Sequence, residues 1–215
     1  MKRAGGVLFA LCLTLFSLGI AIFAVSYDTD SYHAFQQEHA IVEATGKNQD
    51  DLDKVNADIV RYLKTGEPIL MTRNFGDREC AHMTDVFSLF SLARLLCLLS
   101  AAGAAALLIF RKKERNPASA SASLCSQTVV FVLLIILAFF AWTQWDTLFT
   151  TFHHIFFRND LWLLNPETDL MIQMMPTPFF VGLAKGIAVR FIVLCLLGQG
   201  LWFLAGHRSE EESRV

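Results

Sequence analysis

Apolar positions in this chain come in long unbroken runs rather than at the spacing of one helix face. Four runs stand out: Gly5 to Val25, Val86 to Phe110, Val129 to Trp145 and Ile187 to Ala205. A helix needs about 20 apolar residues to cross a bilayer, and a soluble helix would interrupt such runs with a polar face. The pattern therefore predicts an all-α integral membrane protein with four transmembrane helices. The spans fall in residues 1–26, 86–110, 129–145 and 187–206. Between them lie a helical cap at 27–85, a linker at 111–128 and an interfacial segment at 146–186, with a short tail at 207–215. The first run follows a basic start and precedes Ala24-Val25-Ser26, which resembles a signal cleavage site. It is longer than the roughly 7–15 residues of a signal core, so it reads as an uncleaved anchor.

Periodicity returns in the cap. In DDLDKVNADIVRYLKTG the residues Leu52, Val55, Ile59, Tyr62 and Leu63 share one helical face, and Gly66 is placed to end the helix. SYHAFQQEHAIVEATG gives a weaker pattern through Phe35, Ile41 and Val42. His33 and His39 there read as surface residues. The segment from Phe152 to Phe180 is too apolar for an exposed loop, yet Pro166, Pro176 and Pro178 interrupt it. Trp162, Leu163, Leu164, Met171, Ile172, Phe179 and Phe180 would suit a stretch lying at headgroup level, or else one folded over the cap. A slot lined this way would suit acyl chains. RKKERNPASASAS reads as an unfolded linker.

Composition supports a membrane protein: 54% of the 215 residues are hydrophobic and 18% charged, with mean hydropathy +0.44. Charge sets its orientation. Lys2 and Arg3 precede the first span, and Arg111, Lys112, Lys113 and Arg115 separate the second from the third. The excess of Lys and Arg on cytoplasmic loops places these segments and both termini inside, with the cap and the interfacial segment outside. The cap holds twice as many acidic as basic residues, which excludes nucleic acid as a partner. Of five cysteines only Cys80 faces outside, so no disulfide forms there within one chain; the absence of CxxC argues against a quinone-linked oxidoreductase.

Candidate chemistry gathers at the outer ends of the spans. In ECAHMTDVFSLFSLARLL, Glu79 and Asp85 flank His82 at about 60° on either side of a helix. Arg94 falls on about the opposite side and, like Arg190, would look to another helix for a partner. Past the third span, Trp142, Asp146, Thr150 and His153 form one stripe if the helix continues, with His154 about 100° around it. Two histidines from different helices thus reach one membrane face beside carboxylates. Three readings compete: a structural network, acid–base chemistry by groups that titrate near neutrality, and a metal or haem site. HExxH is absent, and Glu79-x-x-His82 lacks the second copy a di-iron bundle requires.

Together, YLKTG, E-x-x-H-M-x-D-V at Glu79 to Val86, F-H-x-x-F-F at Phe152 to Phe157, and W-x-x-x-P-x-x-D followed by P-x-x-F-F resemble the lipoprotein intramolecular transacylase family, Lit. The likeness spans nearly the whole chain. It implies a bacterial plasma-membrane acyltransferase with its site on the extracytoplasmic face. The substrate would be a membrane-anchored diacylated lipoprotein. Its sn-2 acyl chain would move to the α-amino group of the lipid-bearing cysteine, giving the lyso form. No cofactor or metal is implied. Carried over by motif, His82 and His153 form the catalytic pair, and Asp146 matches the family pattern. His154, Glu79, Asp85, Arg94 and Arg190 are supporting candidates, and Trp162, Phe156 and Phe157 are candidates for substrate binding. The alternative is a lipid-binding or structural membrane protein without catalysis.

Orientation is open to direct test. Reagent added from outside should label a cysteine placed at Asn48 and not one at Ser119. The reverse pattern would remove the candidate site from the outer face.

Overall fold

The computed structural model describes residues 3–113 and 117–211. Lys2 and Arg115, which help set the expected orientation, lie outside the described residues, as do residues 212–215 of the tail. The described chain is helical: α1 (Ala4–Ser26), α2 (Thr29–Glu38), α3 (Ile41–Thr45), α4 (Gln49–Thr65), α5 (Ile69–Thr72), α6 (Asp77–Lys113), α7 (Pro117–Thr143), α8 (Trp145–Phe156), α9 (Leu170–Met174) and α10 (Thr177–Glu211). Four helices are long and apolar enough to cross a membrane, over Ala4–Ser26, Asp77–Phe110, Ala118–Thr143 and Thr177–Ala205. This is an all-helical membrane protein.

Helix boundaries differ from the apolar runs in instructive ways. α6 starts at Asp77, nine residues before the run at Val86, because no Gly or Pro interrupts the polar stretch between them. α10 starts at Thr177, not at Ile187. Pro178 lies in its first turn, where a missing N–H leaves no bond unmade, so this proline opens a helix rather than breaking one. Residues 117–128, expected in the linker, form the first turns of α7 behind Pro117. Their Ala/Ser content has a packing role: Ser119, Ser123 and Gln127 are buried at a spacing of four. Between α7 and α8 the helix breaks at Gln144, so the expected stripe from Trp142 is not continuous.

The chain forms two compact units. The membrane unit comprises residues 1–22, 93–145 and 187–215; the cap unit comprises 23–92 and 146–186. In the membrane unit close approach comes from small residues, the usual device where lipid supplies no hydrophobic drive. A Cβ on Gly6 would stand 2.0 Å from the carbonyl oxygen of Ser119. Phe9 stacks on Trp202 at 4.1 Å, and Ser123 donates to Gln199 at 3.0 Å.

The cap unit is built on α4. Leu52, Val55, Ile59, Tyr62 and Leu63 are all buried, as their spacing predicts. Gly66 ends α4 at φ 75°, with its N–H donating to the Tyr62 carbonyl at 2.8 Å. Gln36 and Asn56 exchange two amide hydrogen bonds in the interior, at 3.0 and 2.9 Å. Met171, Met174, Met175 and Phe179 join this core, so that part of the 146–186 segment folds over the cap. Phe156 and Leu163 remain about half exposed, the surface to be expected at headgroup level. His33 bonds Asp53 at 2.9 Å and His39 stacks on Phe35, both as surface residues.

Gly6→Ala should lower the melting temperature in detergent, since the methyl would meet backbone and not a yielding side chain; overpacking of this kind costs ~1–3 kcal/mol. Gly200→Ala, with nothing within 4 Å, should leave it unchanged. Because Ser119 is buried, the labelling probe expected to stay unreacted belongs at exposed Ser121.

Candidate active site

Three pieces of the cap unit meet around two imidazoles: the first turns of α6, all of α8, and the loop 157–169 that leads into α9. α6 begins with Asp77, and Glu79 in its first turn is 4% exposed. Its Oε2 accepts from the N–H of Gly76 at 2.7 Å, the reach-back of a capping box. Its Oε1 accepts from the N–H of Met171 at 2.7 Å, one of the donors that the start of α9 leaves without a helical partner. One carboxylate thus ties two helix starts together. Glu79 is a structural anchor of the site.

His82 follows one turn later. Its ring centroid lies 6.1 Å from that of His153, at an interplanar angle of 33°. The two sequence-predicted histidines are therefore neighbours. His153, on α8, is buried. Its Nδ1 stands 2.7 Å from the carbonyl oxygen of Phe149. A carbonyl only accepts, so Nδ1 carries the hydrogen and Nε2 is left with a lone pair. Burial pushes the His153 pKa below its ordinary 6.5; the bond to Phe149 opposes this and nearby His154 adds to it. Burial thus favours the neutral ring. His82 Nδ1 is buried without a hydrogen-bond partner among the described residues.

Aromatic rings enclose the pair. Trp162 stacks on His153 at 4.6 Å and 28°, and Phe149 lies 4.2 Å away. Phe157 meets His82 edge-on at 5.3 Å and lies 5.5 Å from His153. Of the expected substrate-binding residues, Phe157 and Trp162 join the histidines, whereas Phe156 is exposed on α8. His154 is also exposed and meets Trp162 edge-on at 5.4 Å. Asp85 accepts from Asn159 Nδ2 at 2.9 Å and so holds the loop. Asp146 is exposed near the start of α8. Arg94 and Arg190 belong to the membrane unit and not to the unit that holds the histidines.

A model of the family lipoprotein intramolecular transacylase Lit matches residues 7–180. The chain belongs to this family. Three in meso structures of the Bacillus cereus membrane integral lipoprotein intramolecular transacylase Lit share its fold. One has a TM-score of 0.82 at 18% identity, over 98% of this chain and 98% of that one. A variant with one histidine changed to arginine gives 0.79 at 18% identity, covering 99% and 95% of the two chains. The corresponding alanine variant gives 0.75 at 20%, covering 100% and 96%. No curated protein matches. Membership of the Lit family makes this protein an acyltransferase, a lipoprotein intramolecular transacylase.

Sequence reasoning missed the parts of this Lit site that hold the loop. Arg78 donates to the carbonyl of Asp160, and Asn159 reaches Asp85. The signal was there: Arg158, Asn159 and Asp160 form a polar trio inside an apolar segment. The Gly76-x-x-Glu79 spacing likewise marks the capped start of α6.

Glu79→Ala should lower thermal stability in detergent by about 2 kcal/mol, because the buried Met171 N–H and the part-buried Gly76 N–H lose their acceptor. Glu79→Gln keeps an acceptor for one of them and should lose less. Equal stability of all three proteins would remove Glu79 from the role of anchor.

Proposed function

We propose that His153 and His82 catalyse an O-to-N acyl shift within a diacylated lipoprotein at the extracytoplasmic face of a bacterial plasma membrane. The sn-2 acyl group leaves its glyceryl oxygen and joins the α-amino group of the same lipid-bearing cysteine. The observation that carries this reading is the 2.7 Å contact between His153 Nδ1 and the Phe149 carbonyl oxygen, which calls for the hydrogen on Nδ1 and leaves Nε2 to accept a proton.

The bonds balance without a cofactor. The neutral amine attacks the ester carbonyl carbon and forms a tetrahedral intermediate. The N–H proton that the nitrogen gives up goes to His153 Nε2. As the C–O bond breaks, the leaving sn-2 oxygen takes a proton from the histidine pair, so no net proton is consumed. An α-amino pKa of about 8 is within reach of an imidazole base. Nucleophile and ester sit on one flexible lipid head, so much of the catalysis is positioning, which is worth several kcal/mol when the bound geometry is near attack. Exposed Phe152, Ile155 and Phe156 on α8 offer an apolar face for the acyl chains of that head.

His82→Ala and His153→Ala should each abolish lyso-form product, read by mass spectrometry of the N-terminal lipopeptide, with melting temperatures near wild type. The double variant should be little worse than either single one, because groups that act as a unit are not additive. His154→Ala should be much milder. Near-normal product from His82→Ala would return the pair to a structural role and overturn the two-histidine mechanism.

A further inference from the structure

We infer that Arg78 and Asn159 are positioning residues: through Asp160 and Asp85 they clamp the loop 157–169 onto α6, so that the Trp162 indole stays seated on the His153 ring. The inference rests on the reading of His153 as the base.

The clamp has two points. Arg78 donates to the main-chain carbonyl of Asp160, and Asn159 Nδ2 donates to Asp85 Oδ2 at 2.9 Å. On α6, Arg78, His82 and Asp85 share one face at spacings of four and three. The two ties therefore bracket His82, one turn to either side. On the loop they grip adjacent residues, and the turn beyond is bonded within itself. Asn159 Oδ1 accepts from the Leu161 N–H at 3.1 Å, and the Asp160 carbonyl also accepts from the Leu163 N–H at 3.2 Å. Trp162 lies inside that turn, so fixing residues 159 and 160 fixes the indole.

These contacts are poor candidates for holding the fold. Arg78, Asn159 and Asp160 are all exposed, and exposed polar ties contribute little to stability. What they control is the cover on His153. An indole over an imidazole has two opposite effects. Its π face favours the charged ring, whereas excluding water favours the neutral one. Burial is the largest influence on His153 here, so loosening the cover should let the charged form in. The other titratable and charged groups on the elements that meet at the site are Asp77, Arg78, Glu79, His82 and Asp85 on α6, Asp146 and His154 on its own helix, and Arg158, Asp160, Glu167 and Asp169 in the loop. α9 carries no charged side chain; α10 brings exposed Lys185 and, through Phe149, the ring of Phe180.

The full-length protein carrying Arg78→Ala, Asn159→Ala or both is the test, with Trp162→Ala beside it. Three quantities are read: the melting temperature, the NMR titration of His153 with isotope-labelled histidine, and the acidic limb of kcat on a diacylated lipopeptide. In the double variant the melting temperature should hold and the His153 titration should rise toward 6.5. The acidic limb should move with it, and kcat should fall about tenfold or more, as for a misplaced group. Trp162→Ala should reproduce these changes, and Arg78→Lys, which keeps a donor for Asp160, should restore most of what Arg78→Ala loses. An unmoved His153 titration in the double variant would overturn the clamp, as would collapse of the melting temperature. A shifted titration with an unmoved activity limb would keep the clamp and overturn the assignment of His153 as the base.

Discussion

The site depends on one buried carboxylate. Glu79 places an oxygen against the N–H of Gly76 and the other against the N–H of Met171, each at 2.7 Å. A buried charge is costly unless hydrogen-bonded donors meet it, and here both donors are backbone groups at helix starts. The arrangement fixes where α6 begins and where α9 begins. His82 is one turn into the first, and the loop carrying Trp162 ends at the second. The bond from Met171 to Glu79 is the buried one of three ties between the two sides; the contacts of Arg78 and Asn159 lie at the surface.

Around this anchor the chemistry is set by exclusion of water. His153 is buried among Phe149, Phe157 and Trp162, and its Nδ1 is committed to a main-chain carbonyl. The only side-chain nitrogen it has left to offer is Nε2. A second imidazole stands 6.1 Å away, ring centre to ring centre. For an acyl shift in which amine and ester belong to one molecule, a neutral base and a partner able to return a proton are sufficient protein groups. The Lit family membership of the chain and this geometry point the same way.

Much of this was legible in the sequence because membrane helices declare themselves by length, and cap helices by period. The five apolar positions of α4 and its terminal Gly66 behave as their spacing requires. The histidine pair was legible by motif, and the structure places the two rings side by side. The ends of the helices were harder to read. Pro178 looks like a breaker unless one knows that it lies in a first turn, and the Ala/Ser stretch that opens α7 looks like a linker unless a partner backbone such as that at Gly6 is known to lie against it. The roles of the charged residues were harder still. Glu79 and Asp85 flank His82 on its helix, and the Asp85 charge does act on His82 against burial, but their hydrogen bonds run to Met171 and Asn159, 92 and 74 residues away in sequence. Local spacing shows which residues share a helix face. It does not show what the opposite surface brings to that face.

The proposed acyl shift requires that His153 be a neutral imidazole with its proton on Nδ1 and a lone pair on Nε2. Nitrogen-15 NMR of histidine-labelled protein in detergent micelles at pH 7, with the His153 signals assigned by their loss in His153→Ala, measures this directly. A protonated Nδ1 and an unprotonated Nε2 are the expected result. An imidazolium at that pH, or a neutral ring with its proton on Nε2, would contradict it.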